Sequence, residues 1–253
     1  MKLFVIKRNT ILLFIAMVTF VLSLSTLTRN NAILVFNPNK LLPIYSVERE
    51  DKKISLTFDS AWGDEDIPQL IEVLDEYNVK ASFFILGEWV DKYPESVKAL
   101  ADAGHEVLNH SDTHPHMNKM NIEQLREEIK ACDDKIFNLT GQKHNLFRAP
   151  YGEYNDNVIL AAQSVGNLVI QWDVDSLDWK DPSPEQMMDN VTKKVRSGSI
   201  MLFHSGTKNT LSALPAIIEK LQREGYELVP VSNLVYREGF TLDHTGRQIK
   251  NSD

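Results

Sequence analysis

From Lys53 to Val235 the chain alternates short apolar runs with amphipathic ones, and this alternation limits the fold more than any other feature. "KISLTFD", "KASFFILG", "HEVLNH", "NLF", "LVIQWDVDS", "SIMLF" and "YELV" read as strands. Between them lie amphipathic helices. "DIPQLIEVLDEYN" places Ile67, Leu70, Ile71 and Leu74 on one face, and "YPESVKALADAG" ends on Gly104. "SPEQMMDNVTKKVRSG" starts with Ser183 as N-cap and Pro184 at its first position. Strands that are apolar on both faces need helices on both sides. The pattern therefore predicts an α/β fold with a parallel sheet, either a barrel or doubly wound.

The 253 residues suit one good-sized domain, and 43% hydrophobic with 25% charged residues is ordinary globular composition. A net charge of −8 argues against nucleic acid as a partner. The single cysteine, Cys132, rules out an internal disulfide and a cysteine-rich zinc site, and is expected half-buried on a helix. At the N-terminus, Lys2, Lys7 and Arg8 precede a run from Thr10 to Thr28 without a charge. That is long enough to span a bilayer, with the basic end in the cytoplasm. The expected organisation is an uncleaved anchor over 1–29, a stalk over 30–50, the main folded domain over 51–237 and a loose polar tail over 238–253. A signal peptide cleaved near Ser23 or Ser25, giving a secreted protein, is the alternative.

The chemistry-bearing residues gather at the C-terminal ends of predicted strands, the edge where parallel α/β folds place their sites. Asp59 ends the first strand, His110 ends "HEVLNH" with His114 just after, and Arg148 and Tyr151 follow "NLF". Asp173 and Asp175 follow "LVIQW", and His204 ends "SIMLF". His110 and His114, four residues apart, can reach one ion across a tight turn, or can be surface or cap histidines. His116, beyond Pro115, reads as a rim residue. Asp59 can bind a metal, act as a base or cap the next helix; partial desolvation is expected to raise its pKa. His204 stands where a general acid would, kept protonated by a carboxylate such as Asp175, or is a buried histidine bonded to backbone. Arg148 is either a surface ion pair or aimed at a carboxylate in the cleft. Trp179 and Leu202 are either core or cavity wall.

With these residues in place the sequence resembles the polysaccharide deacetylases with a NodB-type domain, carbohydrate esterase family 4, and within them a cell-envelope and spore-type branch. The resemblance rests on "TFDSAWG", "HSDTH", "RAPYG", "DVDSLDW" and "LFH", in that order, and runs from about Lys53 to Val235. It implies a distorted (β/α) barrel and a divalent metal, zinc before cobalt or another ion. It further implies that His110 and His114 hold the metal, Asp59 is the base, and His204 is the acid. Arg148 would orient Asp59, Asp175 would tune His204, and the Tyr151 backbone N–H would help stabilise the oxyanion. Trp179 and Leu202 would line the acetyl pocket.

The family's first motif has a second aspartate as metal ligand, where this chain has Ser60. Two histidines make an incomplete catalytic zinc site, which normally has three protein ligands. Asp64, in "WGDED", is the expected replacement. The implied activity is N-deacetylation of amino sugars in peptidoglycan by a monomer held at the outer face of the membrane. The alternatives are chitin oligomers, another envelope polysaccharide or an O-acetyl ester as substrate, or a weakened carbohydrate-binding protein.

Overall fold

A computed structural model describes residues 40–251. The expected anchor over 1–29 and the first part of the stalk lie outside the described residues. Among the described residues no helix is long and apolar enough to cross a membrane.

After β1 (Ser46–Val47), the long strand β2 (Lys53–Ser60) leads into α1 (Ile67–Glu76), and β3 (Ser82–Ile85) into α2 (Gly87–Lys92) and α3 (Pro94–Asp102). Next come β4 (Glu106–Asn109), α4 (Ile122–Thr140), β5 (Leu146–Phe147), α5 (Asp156–Ser164), β6 (Leu168–Val169) and β7 (Val174–Asp175). The chain continues with α6 (Pro184–Thr192), β8 (Ile200–His204), α7 (Thr210–Arg223), β9 (Glu227–Leu228) and α8 (Val231–Leu234). It closes with β10 (Phe240–Leu242) and β11 (Arg247–Lys250).

The helix ends follow local chemistry. Asn121 and Gln124 form a capping box on α4, and Gly141 ends that helix in the left-handed conformation. Ser183 and Gln186 form the same box on α6, behind Pro184. Cys132 is fully buried, not half-buried, with its thiol against the Ile85 carbonyl.

The main sheet has the order β6-β5-β4-β3-β2-β8-β7, with β9 also pairing β2, and every one of these pairings is parallel. The stretch expected as one strand, "LVIQWDVDS", is split into β6 and β7, which occupy opposite edges of the sheet. Only residues 170–173 join them, and the five Cα steps from Val169 to Val174 reach roughly 18 Å at most. The sheet must curl until its edges nearly meet, giving a distorted half-barrel.

Part of the expected stalk fills the remaining seam. The Ile44 N–H donates to the Val169 carbonyl at 2.8 Å, and the Ile44 carbonyl accepts from the Gln171 N–H at 2.7 Å. Val47 donates across to the Gly198 carbonyl at 2.9 Å. The expected loose tail is ordered as well. β10 and β11 form an antiparallel hairpin, and β11 pairs in parallel with β1. Buried Gln248 accepts from the Tyr236 N–H and donates to the Tyr236 carbonyl. The folded unit therefore extends beyond 51–237 on both sides.

Side-chain alternation along β2 separates core from lumen. Ile54, Leu56 and Phe58 face the outer helices and join one large apolar cluster with Leu70, Leu74, Phe203 and Ile217. Ser55, Thr57 and Asp59 face inward. The first two are small and donate their hydroxyls to the carbonyls of Val229 and Met201. Register carries this inward set across the sheet, because Asp59 lies opposite His204 on β8 and Phe84 on β3.

Gly198 makes the seam possible. Its φ is +83°, and a Cβ there would sit 1.7 Å from the Val47 carbonyl oxygen. Gly198→Ala is expected to cost at least about 1–3 kcal/mol, with thermal melting falling roughly 2–4 °C for each. Gly141→Asn, where a Cβ would meet nothing within 4 Å, is expected to melt close to wild type.

Candidate active site

A cavity of about 680 Å³ opens at the C-terminal end of the parallel strands, lined by Asp59, His110, His114, Tyr151, Asp175, Trp179, Leu202 and His204 among others. Its size suits a small ligand or part of a polymer. A second cavity, of about 460 Å³, lies beside α4 and β4, and none of the candidate catalytic residues reaches it.

Asp59 is buried, and its Oδ1 accepts from Arg148 Nη1 at 2.6 Å. Arg148 is fully buried, with its guanidinium 4.0 Å above the Phe84 ring centre. The surface-pair reading of Arg148 is thereby set aside. Burial alone would raise the Asp59 pKa, as the sequence suggested. The positive field and hydrogen bond of Arg148, helped by His204, outweigh it and hold the carboxyl below its usual range.

The Arg148 backbone carbonyl also meets His110 Nδ1 at 2.9 Å. A carbonyl can only accept, so Nδ1 carries the proton and Nε2 presents a lone pair. That Nε2 stands 3.6 Å from Asp59 Oδ2. Burial lowers the pKa of His110, and also of His114, which falls to about 4. The two rings lie 5.2 Å apart between centres. His114 has a left-handed backbone, φ 60°, and its N–H donates to Ser111 Oγ at 3.1 Å. Two neutral imidazoles at the same cavity, one presenting its lone pair beside a carboxylate, fit a divalent cation.

A third ligand does not stand beside them. Among the described residues, no group of three or more His, Cys, Asp and Glu side chains is placed to hold a metal ion. Asp64, the expected replacement, is turned away, and its Oδ2 accepts from Ser96 Oγ at 2.6 Å. Ser60 is buried and takes a 2.9 Å hydrogen bond from Ser205 Oγ. Asp66 stands at the N-cap of α1, but its side chain takes the Gly206 N–H at 2.7 Å instead.

On the opposite flank His204 does have a carboxylate partner, but it is Asp178 and not Asp175. Asp178 Oδ1 meets His204 Nδ1 at 2.7 Å, and its Oδ2 takes the His204 backbone N–H at 2.6 Å. Asp175 uses Oδ1 to accept the Leu177 N–H at 2.8 Å and acts on His204 only through its charge. Burial pulls the His204 pKa down. The Asp178 hydrogen bond and the charges of Asp59, Asp178 and Asp175 outweigh burial and raise it. Asp173, half-buried at the seam, accepts from Ser199 Oγ and the Ile200 N–H.

Tyr151 sits at the rim with φ 59°, a strained value for a non-glycine residue. Its ring stacks on His116 at 4.6 Å, and His116 pairs with Glu153 at 3.0 Å. Leu202 is nearly buried in the cavity wall, whereas Trp179 is 52% exposed. Sequence reasoning missed Asp178, although it lies inside "DVDSLDW", and it left the exposed Trp62 unassigned.

A family model described as polysaccharide deacetylase matches residues 46–170. The chain is 33% identical to a Bacillus cereus peptidoglycan-N-acetylglucosamine deacetylase over 186 residues, 72% of this chain and 68% of that one. It is 31% identical to the uncharacterized protein YlxY of Bacillus subtilis over 193 residues, 76% of this chain, and spans 60% of that protein's length. Among solved structures it superposes on BA3943 of Bacillus anthracis, described as a CE4 family pseudoenzyme. That match has a TM-score of 0.74 and 33% identity, and covers 82% of this chain and 70% of that one. A mutant of BA3943 described as having restored enzymatic activity has the same TM-score, with 34% identity and coverage of 82% and 73%.

Two expectations follow from the buried pairs. Arg148→Met leaves Asp59 buried without its partner and is expected to cost about 3–5 kcal/mol, measured by urea unfolding. Asp178→Asn is expected to lower the His204 pKa, followed by NMR titration of the imidazole. Because the wild-type value is raised, the stability that His204 contributes is complete below its unfolded value of about 6.5. It is lost as pH rises through the folded value, and Asp178→Asn is expected to reduce that dependence.

Proposed function

The chain belongs to the polysaccharide deacetylase family, whose deacetylases are hydrolases of amide bonds, and on that premise we propose that it removes N-acetyl groups from amino sugars of peptidoglycan. The observation that carries this reading is the convergence of Asp59 and His204, in-register neighbours on β2 and β8, at one cavity with His110 and His114. The uncharged run from Thr10 to Thr28 supports an anchor that presents the domain to the cell wall.

The residues divide the work of amide hydrolysis. Asp59, ionised because Arg148 holds it so, accepts the proton of the attacking water. Arg148 fixes the direction of that carboxylate. His204 keeps its Nδ1 proton on Asp178, which leaves Nε2 to protonate the departing amine, a step worth about 10²–10⁴-fold in rate. The Tyr151 backbone N–H is our candidate for the oxyanion donor, and its forced left-handed geometry supports that role. Leu202 and Trp179 supply apolar wall for the acetyl methyl. His110 and His114 are the residues that would hold a divalent ion, zinc by preference. Such an ion, when bound, polarises the amide carbonyl and makes water a better nucleophile.

A second reading keeps the fold and the carbohydrate but not the turnover. It is favoured by Ser60, engaged with Ser205 at the position of the family's aspartate ligand, and by the likeness to a pseudoenzyme.

Acetate release from peptidoglycan and from chitin oligomers, each with and without added zinc or cobalt, separates the two. The first reading expects metal-stimulated release, a loss of about a hundredfold or more in His204→Ala, and metal uptake that disappears in His110→Ala and His114→Ala. Binding of the polymer with no release under any metal condition selects the second. Metal uptake indifferent to both histidine substitutions removes them as ligands.

A further inference from the structure

We propose that Trp62 is a stacking platform for the pyranose ring next to the sugar being deacetylated, so that the site reads a polymer and not a single amino sugar. The proposal rests on the amino-sugar reading above and adds a subsite to it. Among the described residues four aromatic side chains count among the large apolar residues left exposed, and three of them, Trp62, Tyr151 and Trp179, line the cavity that also holds Asp59 and His204. Exposed apolar residues scattered singly need no explanation, but a group gathered on one rim marks a binding surface.

Trp62 is also fixed in place. Its carbonyl accepts the indole N–H of the buried Trp89 at 2.9 Å. The loop that carries it is tied to the loop after β8 through Asp66 and the Gly206 N–H. The indole lies against His204, with ring centres 5.5 Å apart and planes inclined by 36°, yet Trp62 remains 51% exposed. A large apolar face on an anchored backbone, packed on one side against His204, has less freedom left to lose on binding.

A pyranose matches such a face, because its axial C–H groups form an apolar side and its hydroxyls point outward around the edge. Polar partners for that edge are at hand, since Glu88, Thr113 and Asp175 line the same cavity. An acetamide placed between Asp59 and His204 leaves the neighbouring sugar at the rim, where the indole stands.

The test measures binding and does not require turnover. The full chain is titrated calorimetrically with N-acetylglucosamine and with its β-1,4-linked dimer and tetramer, in chelator to stop metal-assisted cleavage. Wild-type affinity is expected to rise with oligomer length. Trp62→Ala is expected to lose about tenfold on the tetramer, the scale of one aromatic stacking contact, and to change little on the monomer. Trp62→Phe, which keeps a flat apolar face, is expected to restore most of the tetramer affinity. A Trp62→Ala chain that binds tetramer like wild type overturns the platform and leaves the deacetylase reading intact. So does a Trp62→Phe chain as weak as Trp62→Ala. A wild type that binds no oligomer in chelator and releases no acetate with zinc restored overturns both.

Discussion

The ion pair between Asp59 and Arg148 organises the catalytic end of this fold. A guanidinium with no solvent exposure is costly, and it is tolerated only when its charge is matched in place. Here the match comes from the Asp59 carboxylate at 2.6 Å, the Phe84 ring at 4.0 Å and the Gln171 carbonyl at 3.3 Å. Arg148 acts twice, because its side chain aims the carboxylate while its backbone carbonyl sets the His110 tautomer. One residue after β5 thus fixes both a candidate base and a candidate metal ligand. The Arg148 Nε has no hydrogen-bond partner among the described residues, a price accepted within an otherwise satisfied pair.

The two flanks of the cavity are tuned in opposite directions by the same kind of device. Arg148 holds Asp59 ionised, and Asp178 helps hold His204 protonated. The Asp59 carboxylate and the His204 imidazole, side by side in register, also favour each other's charged forms. Their separate buried partners keep the charges where amide hydrolysis needs them. The imidazoles of His110 and His114 stay neutral for a different reason, which is burial. Neutral rings are what a cation requires of its ligands. The Ser60–Ser205 hydrogen bond lies beside this arrangement without adding charge to it.

Much of the fold was legible because it is local. Apolar runs, capping residues such as Asn121 and Ser183, and the glycine after α4 specify elements over a few residues each. The parity of β2 sends Asp59 inward with Ser55 and Thr57, and Ile54, Leu56 and Phe58 outward. The boundaries were less legible. Ile44 to Val47 carry no sustained period, and they become structure only because the sheet curls and leaves a seam for them. The hairpin of β10 and β11 reads as polar tail until β1 gives its edge a partner.

The sequence by itself determined that this is a parallel α/β domain with Asp59, His110, His114, Arg148 and His204 at the strand ends, because the side-chain period of a strand and its apolar pattern are set by neighbouring residues. Only the tertiary structure decided which acid meets which base. Asp175 and Asp178 are three residues apart, and the left-handed backbone of Leu177 between them gives His204 to the second. Asp64 turns to Ser96, 32 positions away, and Ser60 to Ser205, 145 positions away. Contacts at that separation depend on how loops are folded over a curled sheet, and spacing along the chain carries no record of them.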